Sequence, residues 1–170
     1  MMSHTVKLYS LDYSYVRTYW AAGLFVLGNM ALPYLFHLIP QGGMTWLPIY
    51  FFTLVGAYKY GWRVGLLTAV VSPLLNAALF GMPMPAALPA ILLKSVLLAL
   101  AAGFTARRWQ RVSIPLLVLV VAGYQVAGTL GEWALKGDFY AALQDFRIGV
   151  PGMLLQVFGG YGVIRYFIRR

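Results

Sequence analysis

Three features of this 170-residue sequence predict an all-α integral membrane protein of six transmembrane helices with both termini in the cytoplasm. Hydrophobic residues make up 61% of the chain and charged residues only 10%, too little polar side chain to cover a soluble domain of this size. Six apolar runs, at 19–39, 46–60, 64–80, 86–106, 112–131 and 148–168, take up most of the length, and one span needs about 20 residues. Lys and Arg gather at one end of those runs. The chain therefore reads as a single transmembrane domain, 1–170, with no space for a separate soluble enzyme.

The first sixteen residues, with Lys7, Asp12 and several tyrosines, lack the compact apolar core and small-residue cleavage site of a removable signal peptide. The first span is expected to remain as an anchor. It contains Pro33 near its outer end, where a neighbour must satisfy the carbonyl that the proline frees. Residues 40–45, with Pro40 and paired glycines, form a loop, and the run 46–60 is short for a span. A Tyr60-Gly61-Trp62 corner, flanked by Lys59 and Arg63, leads into the third run, which Ser72-Pro73 interrupts. Residues 81–85 make a rigid Gly-Met-Pro-Met-Pro connection to the fourth run, which ends at Arg107, Arg108 and Arg111. The fifth stops before a polar stretch, 132–147, long enough to fold over a site at that end. The last run follows directly.

Orientation comes from the basic residues, because positively charged loops stay cytoplasmic. Lys7, Arg17, Lys59, Arg63, Arg107, Arg108, Arg111, Arg165, Arg169 and Arg170, ten of the thirteen, fall at one end. Lys136 and Arg147 lie at the other, among Glu132, Asp138 and Asp145, and Lys94 is inside a span. This clustering in short loops, rather than along a polar face, also argues against nucleic acid as the partner of a chain with net charge +9.

Small residues recur every fourth position at Ala57, Gly61, Gly65 and Ala69, a spacing that lets helices approach closely. The stripe serves either packing within the chain or docking of a partner membrane subunit. A second stripe, Gly123, Ala127 and Gly131, is expected to be internal.

Lys94 demands the most explanation. At ~1.5 Å per residue it lies near mid-membrane, where an ammonium costs about 2.5 kcal/mol or more unless it pairs or faces a wet cavity. Two readings stand: it meets an anionic or carbonyl group of a ligand, or it forms an internal ion pair, with Glu132 the candidate. Asn76, Gln125, Thr129 and Gln156 are also within spans and are either cavity-lining or interhelical hydrogen-bonding groups. Trp46, Tyr50, Trp133 and Tyr140 are interfacial anchors or ring-stacking ligand contacts.

Enzyme signatures are missing. There is no Ser-His-Asp set, no His and carboxylate pair at metal spacing and no phosphate-binding glycine loop before Lys-Ser/Thr. Cys is absent, so no disulfide, thiolate metal site or cysteine nucleophile exists. The expectation is a non-enzyme without its own ATPase, metal or cofactor.

Several stretches resemble the substrate-binding S components of energy-coupling factor (ECF) transporters, small six-helix proteins that bind vitamins. GAYKYGWRVG at 56–65 is similar to the family's glycine-punctuated corner between helices two and three. SPLLNAALFGMPMPAALPAILLKSVLLALAAGFTARR at 72–108 is similar to its third helix, Gly-Met-Pro loop and fourth helix, and RIGVPGMLLQ at 147–156 to the start of its last helix. Together these cover about a third of the chain. The resemblance implies capture of a water-soluble vitamin or related micronutrient from outside a bacterial or archaeal cytoplasmic membrane. It also implies a transmembrane coupling subunit and two ATPase subunits as partners. Two departures matter. The first helix, WAAGLFVLGNMAL, lacks the family's Ala-x-x-x-Ala docking motif, which leaves the stripe at Ala57, Gly61, Gly65 and Ala69 as the docking candidate. Where many relatives carry an acid in helix four, this chain has Lys94, which suggests a ligand with a carboxylate, phosphate or other acceptor. The expected site is Trp46, Asn76, Lys94, Gln125, Glu132, Arg147 and Gln156, with Lys94 and Arg147 as the anion partners. The competing readings are a non-transporting membrane scaffold and a stand-alone secondary transporter; no internal repeat of the latter kind is evident.

Overall fold

The computed structural model describes residues 7–167, and all regular structure within them is helical. Arg169 and Arg170, counted above at the basic end, and residue 168 of the last run lie outside the described residues. Four helices, α1 (Val16–Phe36), α4 (Trp62–Phe80), α5 (Leu88–Trp109) and α6 (Ile114–Lys136), are long and apolar enough to cross a membrane.

The second and last apolar runs are built differently. Residues 40–45, expected as a loop, instead hold most of a short helix, α2 (Gly42–Trp46), and the second run, 46–60, is broken into a 3-10 turn (Pro48–Tyr50) and α3 (Phe51–Tyr60). Leu47 takes a left-handed conformation (φ 46°, ψ 45°) between α2 and the turn. At ten residues α3 is only about 15 Å long, roughly half the thickness of a hydrocarbon core. After α6 come two short helices, α7 (Phe139–Ala142) and α8 (Gln144–Ile148), and then α9 (150–167), which widens into π-type turns at Leu155–Gly159 and Val163–Phe167.

The short α3 is nevertheless the axis of the bundle. Leu54, Val55, Ala57 and Tyr58 are fully buried in it; α1, α4 and α5 surround it, α6 packs on α5, and α9 closes against α3 and α6. Gly61 turns the chain from α3 into α4 at φ 103°, a conformation that favours glycine. A Cβ on Gly65 would collide with Ala57 and stand 3.1 Å from Ala99. Ala57, Gly61, Gly65 and Ala69 are all buried, so this stripe lies inside the chain's own α3–α4–α5 contact. The other stripe departs from expectation: Gly123 and Ala127 are exposed, and α6 instead turns Gly128 and Gly131 toward Lys94 and Leu93 of α5. The buried face of α6 carries Leu117, Val120, Val121 and Gly128 together with the polar and aromatic residues Tyr124, Gln125, Thr129 and Glu132.

Polar contacts complete both ends of α3. At the basic end, the backbone N–H groups of Tyr9 and Leu11 donate to the carbonyls of Lys59 (2.8 Å) and Tyr60 (3.0 Å), two acceptors that a helix terminus leaves open. The Lys59 ammonium donates to the Lys7 carbonyl at 2.6 Å, and the Tyr58 hydroxyl to that of Arg111 at 2.8 Å. At the other end, Asn29 of α1 accepts from the Phe52 N–H (3.0 Å) and donates to Thr53 (2.9 Å) and Ser72 (3.1 Å). Pro33 has no N–H for the Asn29 carbonyl four residues earlier, and the Asn76 side chain supplies the missing donor at 3.0 Å. Asn76 is thereby tied to the α1–α4 contact. Asn76→Ala should lower stability by about 1–3 kcal/mol, the cost of leaving a buried carbonyl unpaired; unfolding of the variant in detergent micelles at wild-type midpoint would contradict this account.

Candidate functional site

The end of the bundle opposite the 7–12 segment contains a cavity of about 170 Å³, lined by Lys94, Glu132, Lys136 and Asp145 together with Tyr50 and Gln144 among others. The four charged groups form one chain. Lys94 Nζ lies 2.5 Å from a Glu132 oxygen and 2.8 Å from Asp145 Oδ2, and the other Glu132 oxygen lies 2.6 Å from Lys136 Nζ.

Local sequence explains how they meet. Gly128 gives the Lys94 stem its place, since a Cβ there would stand 2.5 Å from Lys94 Cγ. Glu132 follows one turn along α6, and Lys136 one turn further, in the i,i+4 arrangement that favours a Glu–Lys pair. Then Gly137 ends the helix in a left-handed conformation (φ 72°). Asp138 begins α7 by accepting from the Ala141 N–H at 3.0 Å, and the fold-back through α8 carries Asp145 to Lys94. The Gln144 amide donates to the Met44 sulfur, joining α8 to α2.

Beneath the charges is an uncharged polar layer. The Tyr124 hydroxyl donates to Gln156 Oε1 at 2.9 Å and accepts from Gln125 Nε2 at 3.0 Å, and the Tyr124 ring packs against Tyr50, centroids 5.6 Å apart. Gln125 Oε1, Gln156 Nε2, Thr129 Oγ1 and Ser95 Oγ are buried without a hydrogen-bond partner among the described residues, an arrangement that calls for water or a ligand.

Of the residues expected at the site, Lys94 and Glu132 meet directly at the cavity, and Gln125 and Gln156 meet through Tyr124. Trp46 packs on Phe36 (centroids 5.5 Å apart) and Arg147 is exposed, its guanidinium 4.2 Å from the centre of the Tyr140 ring; neither lines the cavity. Asn76 belongs to the Asn29 network. Asp145, Lys136 and Tyr124 were missed, and Tyr50, one of the aromatic candidates, lines the cavity. Lys136 was legible from its spacing to Glu132, whereas nothing local separates Asp145 from Asp138.

The family model for ECF transporter, substrate-specific component, matches residues 21–163. The chain belongs to this family. Comparison with curated proteins and with solved structures returns no match. As a substrate-specific component it is a multi-pass membrane protein that captures a substrate for ECF transport and interacts with other components of the transporter; it is a binding subunit rather than an enzyme.

In this substrate-specific component Lys94 is 3% exposed, and its two carboxylate partners are 10% and 17% exposed. Removing one member of a buried pair costs more than removing both. Lys94→Met should therefore destabilise the protein by about 3–5 kcal/mol, with part of the loss recovered when Asp145→Asn is added. Unfolding midpoints in micelles read both effects, and equal midpoints for wild type and Lys94→Met would remove the ion chain from any structural role.

Proposed function

We propose that this substrate-specific component captures a water-soluble vitamin or related micronutrient from outside the cell, a molecule that presents an anionic or acceptor group to Lys94. The observation that carries the reading is a buried ammonium, held among carboxylates in a span-length helix, that still lines a cavity. The cavity end is taken to face outward and the basic end inward, with 42–60 and α9 completing six crossings and both termini cytoplasmic. A transmembrane coupling subunit and two ATPase subunits in a bacterial or archaeal cytoplasmic membrane would then drive uptake. The Ala57-Gly61-Gly65-Ala69 stripe is buried and would support docking only from within, by fixing α4 against α3 so that the exposed side of α4 can meet the coupling subunit.

Cavity size bears on how a ligand enters. Sites for vitamin-sized molecules run to several hundred Å³, so about 170 Å³ holds one end of such a ligand. Full entry requires α2 and α8 to separate, and Gln144 with Met44 bridges them.

Native mass spectrometry tests the capture reading. Wild type should carry a vitamin-sized mass, and the charge-balanced double variant Lys94→Gln with Asp145→Asn should fold yet come through empty. A wild type that stays empty after a panel of vitamins is offered would favour a non-transporting scaffold instead. Because the chain has no cysteine, Met44→Cys with Gln144→Cys can be joined by a short thiol cross-linker. The cross-linked protein should lose binding and regain it when a cleavable linker is cut; unchanged binding in the cross-linked state would rule out entry between α2 and α8.

A further inference from the structure

The open hydrogen-bonding positions around Lys94 define a narrower ligand class than its charge alone. A lysine ammonium has three donors, and two of them point at Glu132 and Asp145. One remains for the cavity. Both Glu132 oxygens are engaged, by Lys94 and Lys136, whereas Asp145 bonds Lys94 through Oδ2 and its Oδ1 takes no partner among the described residues. The Lys94–Asp145 pair thus offers the cavity one donor and one acceptor on adjacent groups, beside the further donors of Lys136 and the Tyr50 hydroxyl.

Charge points the same way. Lys94, Lys136 and Arg147 at this end are matched by Glu132, Asp138 and Asp145, and the excess positive charge of the chain sits at the opposite end. A net anion entering the cavity would meet two carboxylates already paired with the Lys94 and Lys136 ammoniums, hence no net field drawing it in, and it would be repelled at the open Asp145 oxygen. The layer beneath Tyr50 repeats the pattern without charge, with Gln125 Oε1 and Gln156 Nε2 both unpaired on either side of the Tyr124 hydroxyl.

Resting on the capture reading above, we propose that the cavity selects a ligand of no net charge whose edge offers an acceptor and a donor side by side, as an amide, lactam or ureide does. Asp145 is the specificity-determining residue that takes the ligand's donor and turns net anions away.

The test uses the full chain in nanodiscs and probe pairs that differ in charge: nicotinamide and nicotinate, biotin amide and biotin, pantothenol and pantothenate. Isothermal titration measures each, and native mass spectrometry identifies any co-purified ligand. In any pair that binds, the uncharged member should bind wild type about tenfold or more tightly than the anion, and a co-purified ligand should carry no net charge. Asp145→Asn, which leaves Lys94 its Glu132 partner, should close that gap or reverse it, while Asp145→Glu should keep the order. An anion that binds wild type as tightly as its uncharged partner, a co-purified net anion, or a ratio unmoved in Asp145→Asn overturns the proposal while leaving capture intact. Should Asp145→Asn fail to fold, the wild-type and Asp145→Glu ratios decide. A folded wild type that binds nothing and carries nothing overturns capture itself, and the proposal with it.

Discussion

An ammonium placed deep in an apolar helix has to find counter-charge within the bundle, and much of the cavity end is arranged around that need at Lys94. Desolvating an ion costs several kcal/mol even after relaxation, and attraction offsets this only when geometry is good and the remaining valences are met. Here two carboxylates meet the ammonium from different elements, Glu132 from α6 and Asp145 from α8. The first needs α5 and α6 close together, which Gly128 and Gly131 permit. The second needs the chain to stop at Gly137 and fold back rather than continue outward. One buried charge thus couples a helix contact, a helix terminus and a loop path.

The other constraint is length. A ten-residue helix at the centre of the bundle cannot reach across a membrane alone, and its open backbone groups would be expensive in lipid. Residues 7–12 supply donors at one end and the Asn29 side chain an acceptor at the other. This shortness has a structural use. It frees 42–50 to run irregularly, and irregular backbone at membrane depth is tolerated where it is enclosed by protein or lines a cavity. Met44, Leu47 and Tyr50 do the latter.

How much of this was legible depended on the range of each cause. Hydropathy and the gathering of arginines are properties of composition, so the membrane class and the apolar runs stood out. Lys94 stood out because its cost is local, and Glu132 was named as its counter-charge because few acids were available. Asp145 did not, since its position depends on the fold-back at Gly137 and Asp138, and three acids in one stretch look alike before the chain is folded. The need created by Pro33 could be read, but not that Asn76 of another helix would answer it, so Asn76 looked like a ligand contact. Small residues told of close approach without telling the partner: Gly65 faces Ala57 and Ala99, while Gly123 touches nothing.

A site proposed to capture a ligand must also exist when empty, and this bears on why the charges neutralise one another. Had Lys94 waited unpaired for an anionic ligand, the empty state would carry an uncompensated buried ion, and had every valence been consumed, a ligand would have to break a buried pair to bind, at a cost of about 3–5 kcal/mol. The observed chain avoids both extremes. Lys94 and Glu132 hold each other, Lys136 steadies Glu132, and Asp145 gives one oxygen to the network while the other stays free. A ligand that adds an acceptor to the third Lys94 donor and a donor to that free oxygen completes the network without dismantling it. In the proposed capture, binding would hold α8 against α5 and α6, because the same network that holds the empty site gains bonds when the site is filled.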